Sequence, residues 1–232
     1  MKHARSTNKN PKCDLPEAKR IVIIDDHPLF RKGLEQLIQS EDSFAVCGEA
    51  NNAPEAMDVI RKLNPDLAIV DLSLPGANGI ELIKNIRAEF SKLPILVLSM
   101  HDESLYALRA LRAGAEGYVM KHEAMANVIQ AIREVFNGRP YLSPAMAAQV
   151  ISKFAHRQAE GEADAVERLS DRELEVLELI GKGNDVRQIA KVLHLSPKTV
   201  ETHRSHIKDK LDLKNSREVA RFALQWLNAR NA

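Results

Sequence analysis

The sequence predicts a doubly wound α/β domain with a five-stranded parallel sheet, followed by a small domain built only of helices. Between residues 20 and 137, five short apolar segments alternate with segments of helical periodicity. Uninterrupted apolar runs are typical of strands that are buried on both faces of a parallel sheet. From Leu169 onward no strand pattern remains, and the periodicity fits four short helices.

Each apolar segment is expected to form a strand and each periodic segment a helix, because repeated βα units build a doubly wound sheet. Gly114 and Gly138 follow two of the helical patterns. We expect them to end these helices, since glycine readily adopts the left-handed backbone conformation at a helix C-terminus. The predicted strands are Ile21–Ile24, Phe44–Cys47, Leu67–Val70, Ile95–Leu98 and Tyr118–Met120.

The chain outside the predicted sheet divides into a tail, a linker and a helical domain. Residues 1–19 are polar and mostly basic, which predicts a disordered basic tail before the α/β domain of residues 20–137. Residues 138–167 contain a helical pattern from Ser143 to His156 and then a polar stretch rich in Ala, Glu and Gly, which predicts a linker. Residues 168–232 are the helical domain. Its helices are expected at Asp171–Ile180, Asp185–Leu193, Lys198–Leu211 and Ser216–Leu227.

The composition is that of a soluble folded protein, with 44% apolar and 28% charged residues. No apolar run approaches the ~18 residues of a membrane span, and the first residues lack the apolar segment of a signal peptide. Cys13 and Cys47 form neither a disulfide framework nor a metal-binding spacing, and Cys47 is expected to be a buried, unreactive thiol. We therefore expect a protein of the reducing cytoplasm. The net charge of +1 indicates nothing about partners.

Acidic residues follow two of the predicted strands. Asp25 and Asp26 end the first strand, and Asp71 ends the third. If the strand order is 2-1-3-4-5, these strands are neighbours and the carboxylates converge at the edge where doubly wound sheets bind ligands. Two like charges ~4 Å apart cost about 4 kcal/mol at an effective dielectric constant of ~20, so the cluster is expected to recruit a cation. Oxygen ligands near a surface suit Mg²⁺.

Two further polar residues are expected at the same edge. Ser99 ends the fourth strand and offers a hydroxyl, and Lys121 follows the fifth and offers an ammonium group. This combination can bind a phosphoryl group, because the cations offset oxygen charge while one carboxylate attacks phosphorus. The alternative is that Asp26 only caps the following helix and the other acids are solvated. Five polar residues at strand ends favour the phosphoryl site.

Residues 20–137 resemble the receiver domain of bacterial two-component response regulators, which has a flavodoxin-like fold. The matching motifs are "DD", "DLSLPGANG", "VLSM" and "GYVMK", which contain the paired Asp25 and Asp26, then Asp71, Ser99, and finally Tyr118 and Lys121. The resemblance implies that Asp71 accepts a phosphoryl group from a histidine kinase. It also implies that Asp26, Asp71 and the Ser73 backbone carbonyl bind Mg²⁺ directly, while Asp25 acts through water.

The resemblance also assigns roles to the residues at the ends of the fourth and fifth strands. Lys121 would contact the acyl phosphate, Ser99 would move to bond it, and Tyr118 would turn inward as the switch residue. The sequence departs from many receivers after the lysine, where His122 stands in place of proline. A cis peptide bond at this position would cost about 3 kcal/mol, so this loop is expected to run differently.

The helical domain has a modest basic excess, with 12 Lys/Arg against 9 Asp/Glu in residues 169–232. In the segment "LSPKTVETHRSHIKDKLDLK", Val200, Ile207 and Leu211, with His203 partly alongside, form an apolar stripe at helical spacing. A preceding helix and a short turn make this a candidate helix-turn-helix, whose second helix enters the DNA major groove. An ordinary solvated amphipathic helix is the alternative. The residues expected to face outward are Lys198, Glu201, Thr202, Ser205 and Lys208.

The helical domain resembles the LuxR-type DNA-binding domain through "LSDRELEVLELIGKG" and "IAKVLHLSPKTVETHRSHIKDKL". Glu201 stands where lysine is frequent in that family and is expected to favour cytosine, whose amino group donates a hydrogen bond. The resemblance implies base contacts from Lys198, Glu201, Thr202 and Ser205, and DNA backbone contacts from Thr199, Arg187 and Lys208.

The two resemblances occur in the order seen in response regulators of the NarL/FixJ type. They imply a transcription factor whose phosphorylation on Asp71 by a sensor histidine kinase controls homodimer formation and promoter binding. One alternative is a phosphatase of the haloacid dehalogenase type, although Ser73 stands where that family needs a second aspartate. Another is a regulator with a vestigial receiver. The last predicted helix carries an apolar stripe of Val219, Phe222, Ala223 and Trp226. This stripe is the candidate dimer surface, although packing in the domain core explains it equally well.

Overall fold

The computed structural model describes residues 17–155 and 162–231, and the chain forms two compact units that divide between Lys153 and Phe154. The first unit alternates strands and helices. Its elements are β1 (Lys19–Ile24), α1 (Pro28–Gln39), β2 (Phe44–Ala50), α2 (Ala53–Leu63), β3 (Leu67–Val70), β4 (Ser73–Leu74), β5 (Ala77–Asn78), α3 (Gly79–Glu89), β6 (Ile95–Ser99), α4 (Glu103–Ala113), β7 (Gly117–Met120), α5 (Ala124–Phe136) and α6 (Pro144–Ala155), in which the division falls.

The central sheet is parallel and has the strand order β2-β1-β3-β6-β7. This confirms the predicted doubly wound five-stranded fold. Ile24 of β1 lies opposite Val70 of β3 in the strand register. The residues that follow these two strands therefore emerge side by side at the carboxyl edge of the sheet, at the point where the winding direction reverses.

The core forms because the strands are apolar on both faces. Ile21, Val22, Ile23 and Ile24 of β1 are all fully buried. Burial of a large aliphatic side chain contributes about 1.5–3 kcal/mol, so β1 anchors the sheet. Gly114 adopts a positive φ of 111° after α4, and Gly138 one of 72° after α5, which confirms their expected helix-ending role.

Three features of the first unit differ from the sequence predictions. A two-stranded antiparallel sheet of β4 and β5 lies between β3 and α3; its strands are too short to give a periodic pattern. Cys47 is half-buried, so the prediction that its thiol is buried is wrong. The predicted tail lies outside the described residues up to residue 16, and Lys19 already belongs to β1.

The second unit contains only helices among its described residues: α7 (Glu162–Glu167), α8 (Asp171–Gly181), α9 (Val186–Val192), α10 (Pro197–Lys210) and α11 (Ser216–Asn231). The four helices expected after residue 168 are present, whereas α7 lies in the segment predicted to be a linker. Ser170 and Glu173 form a capping box at the start of α8, and Asp185 and Gln188 form another at α9. Each box satisfies two backbone N–H groups that a helix start leaves unpaired.

Helix α11 packs closely against α8. Gly181 ends α8, and a Cβ atom there would lie 2.7 Å from the Ala223 backbone oxygen. Val219 and Ala223 are buried in this packing. Core packing therefore accounts for these two members of the stripe, while Phe222 and Trp226 are half-buried. In the parts of the chain that the structure describes, we find no helix with both the length and the apolarity that crossing a membrane requires.

Candidate functional site

Three predicted site residues meet at the carboxyl edge of the sheet. The Lys121 ammonium group, after β7, lies 2.7 Å from Asp25 Oδ2 and 2.7 Å from Asp71 Oδ2. Asp25 is 2% exposed, Asp71 1% and Lys121 7%. The sheet order produces this meeting, because β1, β3 and β7 deliver their carboxyl ends to one edge. We call the cluster of Asp25, Asp26, Asp71 and Lys121 the acidic pocket.

Lys121 reaches the acidic pocket although His122 replaces the proline of many receivers. Its backbone N–H donates to the Ser99 carbonyl at 2.8 Å, which continues the pairing of β7 with β6. Its ammonium group lies 4.7 Å from the centre of the Phe30 ring, so the ring face also contacts the cation. The described residues contain no cis peptide bond, and the Lys121–His122 bond is therefore trans.

The acidic pocket carries an excess of negative charge. Three carboxylates and one ammonium give a net charge of −2 when all are ionised. Burial raises the pKa of Asp71, while Lys121 acts to lower it and the charge of Asp25 raises it further. One divalent cation would neutralise the excess charge, and carboxylate oxygens are ligands that Mg²⁺ prefers.

Asp26 offers a free oxygen to such an ion. Its Oδ1 atom is buried and accepts no hydrogen bond of good geometry from the described residues, although His27 Nδ1 lies 2.7 Å away. Asp26 does not cap α1 either, since the N-cap residue is His27 and its side chain makes no capping bond. The alternative in which Asp26 only caps this helix is therefore wrong. A buried oxygen that accepts no well-formed hydrogen bond fits a cation ligand.

His27 is a member of the site that the sequence reasoning missed. Its backbone N–H donates to Asp25 Oδ1 at 2.7 Å, and its ring Nδ1 lies 4.0 Å from Asp71 Oδ2. With Lys121 on Oδ2, both carboxylate oxygens of Asp25 have partners. The only sequence signal for His27 was its position directly after the paired acids Asp25 and Asp26.

Ser99 and Tyr118 lie beside the acidic pocket and are joined through His101. Ser99 is fully buried, and its Oγ accepts a hydrogen bond from the His101 backbone N–H at 3.1 Å. The Tyr118 hydroxyl donates to the His101 carbonyl at 2.8 Å. Burial raises the pKa of this hydroxyl, so it stays a neutral donor. The Tyr118 ring is 1% exposed and already occupies the inward position.

Ser73 supports the Asp71 carboxylate from the following turn. Its backbone N–H donates to Asp71 Oδ1 at 3.1 Å, and its hydroxyl lies 3.1 Å from His101 Nε2. The two Asp71 oxygens thus have different partners, Ser73 on Oδ1 and Lys121 on Oδ2. This fixes the orientation of the carboxylate.

A glycine at the start of α3 holds the Asp71 turn in place. A Cβ atom at Gly79 would lie 2.4 Å from Leu72 Cα and 2.6 Å from the Asp71 carbonyl oxygen, both backbone atoms that cannot move aside independently. We expect Gly79→Ala to lower the free energy of unfolding by about 1–3 kcal/mol, as overpacking does. Urea unfolding measures this change. Gly33→Ala is the control, because a Cβ atom there meets only the flexible end of the Met125 side chain. Gly76→Ala is unsuitable, because its φ of 71° would strain an alanine.

The predicted DNA-facing residues lie on α10 and α9. Val200 and Ile207 are buried, which confirms the inward stripe, while Leu211 is half-buried. Glu201 pairs with Arg204 at 3.1 Å, a partner that the sequence reasoning had not assigned to the site. Lys198, Glu201, Thr202, Ser205 and Arg187 are exposed, and Thr199 and Lys208 are half-buried.

The local structure of α10 leaves most of this face available. Ser196 caps the helix by accepting from the Thr199 backbone N–H at 3.0 Å, and its hydroxyl lies 2.7 Å from Thr199 Oγ1. Thr202 Oγ1 donates to the Lys198 carbonyl at 3.1 Å, which leaves its oxygen free to accept. An exposed face of short polar side chains between Lys198 and Lys208 can present hydrogen-bonding groups to base edges and charges to phosphates.

Comparison with known proteins assigns both units to families. The response regulator receiver domain matches residues 21–133, and the luxR family of bacterial regulatory proteins matches residues 167–223. Oxygen regulatory protein NreC of Staphylococcus carnosus (strain TM300) is 37% identical over 210 residues, which cover 89% of this chain and 97% of that protein. NreC of Staphylococcus haemolyticus (strain JCSC1435) is 35% identical over 210 residues, with the same coverage.

Solved structures give the same assignment. A LuxR-family two-component response regulator from Aurantimonas sp. SI85-9A1 is 39% identical, with a TM-score of 0.56, and the match covers 60% of this chain and 99% of that chain. RcsB from Salmonella enterica serovar Typhimurium, bound to promoter rprA in the presence of the phosphomimetic BeF3−, is 28% identical, with a TM-score of 0.60 and coverage of 89% and 98%. The chain therefore belongs to the two-component response regulators with a receiver domain and a LuxR-type DNA-binding domain, and it is a DNA-binding transcription regulator rather than an enzyme.

Proposed function

We propose that a sensor histidine kinase phosphorylates Asp71 and that this phosphorylation controls dimerisation and promoter binding. The observation that carries the proposal is the buried Asp71 carboxylate, with Lys121 Nζ 2.7 Å from one oxygen and the Ser73 N–H 3.1 Å from the other. A purely structural ion pair would not need a second and third acid in the same pocket. The excess negative charge is better explained by a site that binds a cation and a phosphoryl group.

In the transfer step, one Asp71 oxygen attacks the phosphorus of a phosphohistidine on the kinase. A P–O bond forms, the P–N bond breaks, and its electron pair stays on the imidazole, which leaves as neutral histidine once protonated by solvent. Lys121 lowers the cost of the ionised Asp71 carboxylate and then offsets charge on the phosphoryl oxygens. Bound Mg²⁺ would supply further charge neutralisation at these oxygens.

The ligands proposed for Mg²⁺ are Asp26, Asp71 and the Ser73 backbone carbonyl, with Asp25 acting through water. Two observations support this division. The Asp26 Oδ1 atom accepts no hydrogen bond of good geometry from the described residues, and its neighbour at 2.7 Å, His27 Nδ1, lies on an exposed side chain that can turn away from the ion. Both oxygens of Asp25 already have partners, Lys121 and the His27 N–H, so a direct bond from Asp25 would displace one of them.

The signal is proposed to leave the acidic pocket through Ser99 and Tyr118. When Ser99 turns its hydroxyl to a phosphoryl oxygen, the His101 N–H loses its acceptor and His101 is released. Tyr118 is affected as well, because its hydroxyl donates to the His101 carbonyl. Both groups therefore move together with the segment that enters α4. Glu103, in the first turn of α4, accepts a hydrogen bond from the Ser143 backbone N–H at 3.0 Å at the start of α6. This contact offers a path from the switch to the segment that leads to the second unit.

The exposed face of α10 is proposed to bind the major groove of promoter DNA. Lys198, Glu201, Thr202 and Ser205 would contact base edges, because they are exposed on one face near the N-terminal half of the helix. Thr199, Arg187 and Lys208 would contact the DNA backbone. The promoter-bound RcsB relative supports DNA as the partner.

Base-reading and phosphate-binding residues of α10 are expected to respond differently to substitution. Lys208→Ala should weaken binding to every sequence and flatten the dependence of log affinity on log salt by about one unit, because one phosphate contact is lost. Thr202→Ala should instead change which promoter is preferred, at about 1–3 kcal/mol for the base pair concerned. Fluorescence anisotropy with matched and mismatched duplexes at several salt concentrations measures both effects.

The same titrations contain their own control. Lys182→Ala removes an exposed lysine after α8, outside the proposed DNA-facing set, and should leave both the affinity and the salt slope unchanged. Equal losses on all sequences for Lys208→Ala and Thr202→Ala would contradict the proposed division of roles on α10.

A homodimer is proposed as the form that binds DNA, since two-fold pairing doubles the phosphate contacts and fixes the half-site spacing. Within α11, the proposed contact uses the half-buried Phe222 and Trp226, because Val219 and Ala223 are already buried against α8. The cytoplasm, where the chromosome lies, is the proposed compartment. Mapping of bound sites across the genome with wild type and Asp71→Asn tests the function: sites should lose occupancy in the variant, and an unchanged map would contradict phosphorylation control.

A further inference from the structure

A second group of metal-ligating side chains lies in the helical unit, away from the acidic pocket. Glu173 near the start of α8 meets His203 and His206 of α10, and one ligand atom from each lies within 4.8 Å of the others. Glu173 is 3% exposed, whereas the His206 side chain is 55% exposed. The group therefore has a buried carboxylate at its base and an open side toward solvent.

The two oxygens of Glu173 have separate partners. Oε2 accepts from the Ser170 backbone N–H at 2.7 Å and from the Lys210 ammonium group at 2.6 Å. Oε1 lies 3.5 Å from His206 Nδ1. Burial opposes ionisation of Glu173, but the bonds from Lys210 and Ser170 prevail and lower its pKa. Oε1 is thus directed at His206, while Oε2 takes part in the capping box.

His203 supplies an imidazole nitrogen that lacks a partner. Its Nδ1 atom is buried and makes no hydrogen bond to any residue that the structure describes. Burial, followed by the charge of Arg172, lowers the pKa of His203. A buried polar atom without a partner requires an explanation, and an ion or a water molecule in contact with it provides one.

We propose that Glu173, His203 and His206 form a binding site for a divalent transition-metal ion of the zinc class. Two ligands of a tetrahedral zinc ion lie about 3.3 Å apart when each bond is about 2.0–2.1 Å, and the 3.5 Å between Glu173 Oε1 and His206 Nδ1 is close to this separation. Three protein ligands leave one position for water. Two imidazoles select zinc-class ions over Mg²⁺.

The surrounding charges allow a cation to bind here. Arg172 is paired with Glu175 at 2.6 Å, and Lys210 is held by Glu173 Oε2. Oε1 can therefore bind the ion without release of Lys210. The ion would connect the start of α8 directly to α10, the helix proposed to enter the major groove, so its binding is expected to stabilise the second unit.

Titration of the full chain with Co²⁺ and Zn²⁺ tests the site. Four-coordinate Co²⁺ with imidazole ligands gives an intense visible absorption band that octahedral Co²⁺ lacks. We expect this band in wild type and its loss in His206→Asn, with at least about a tenfold fall in Zn²⁺ affinity by calorimetry. Zn²⁺ should also raise the melting temperature of the helical unit in wild type but not in this variant.

His206 is chosen because its side chain is exposed, so its replacement should leave the metal-free melting temperature unchanged. His194→Asn is the matched control: His194 is an exposed histidine of the same unit with φ of 53°, a conformation that asparagine adopts readily. Ions taken up by the acidic pocket are common to all three proteins and cancel in the comparison. An equal band and affinity in His206→Asn, or a wild type without the band, would overturn the proposal.

Discussion

Replacement of Asp71 by asparagine is expected to abolish the increase in promoter affinity that a phosphoryl donor produces in the wild-type protein. Asparagine keeps the size of the side chain and can still accept the Ser73 N–H bond, but its amide is not a nucleophile. No acyl phosphate can form, and Ser99 and Tyr118 keep their present bonds to His101. The variant should bind DNA with the affinity of the unphosphorylated wild type.

Fluorescence anisotropy with a promoter duplex, acetyl phosphate and Mg²⁺ measures this effect. Asp58→Asn is the control, because Asp58 lies on α2 with its side chain 79% exposed and should respond as wild type does. An Asp71→Asn protein that gains as much affinity as wild type would show that the acceptor has been assigned to the wrong residue.

Replacement of Lys121 by methionine is expected to destabilise the receiver more than most single substitutions do. Lys121 is the cation at 2.7 Å from both Asp25 and Asp71, and methionine would leave two buried carboxylates without it. Loss of one partner from a buried ion pair costs about 3–5 kcal/mol. Mg²⁺ should recover part of this loss, because a divalent ion bound at the acidic pocket stabilises the folded state.

Urea unfolding with and without Mg²⁺ measures this effect, with Lys62→Met as the control on the exposed surface of α2. We expect the Mg²⁺-dependent gain in the free energy of unfolding to be larger in Lys121→Met than in wild type. If the variant has wild-type stability in the absence of Mg²⁺, the Lys121 charge does not stabilise the carboxylates of the acidic pocket.

The sheet and the acidic pocket could be predicted because both follow from short-range patterns. Apolar runs identify buried parallel strands, and the carboxyl ends of such strands meet at one edge, so Asp25, Asp71 and Lys121 were expected to converge although they are far apart in sequence. This convergence required a strand order of 2-1-3-4-5, which the alternation of strands and helices does not determine, and the structure has that order.

Other features depend on contacts that local patterns do not contain. The hairpin of β4 and β5 has two residues in each strand, too few for a period of two to be recognised. The half-buried position of Cys47 depends on tertiary packing. The meeting of Glu173 with His203 and His206 joins residues of two different helices, and the sequence had placed His203 only beside an apolar stripe.

The acceptor role of Asp71 is tested most directly by locating the phosphoryl group after incubation with acetyl phosphate. Borohydride reduces an aspartyl phosphate to homoserine, and peptide mass spectrometry then identifies the position. We expect one phosphoryl group per chain, homoserine at residue 71, and no modification when Mg²⁺ is chelated. Homoserine at another aspartate, or the absence of any phosphoryl group in the presence of Mg²⁺, would contradict the claim that the acidic pocket prepares Asp71 to accept phosphorus.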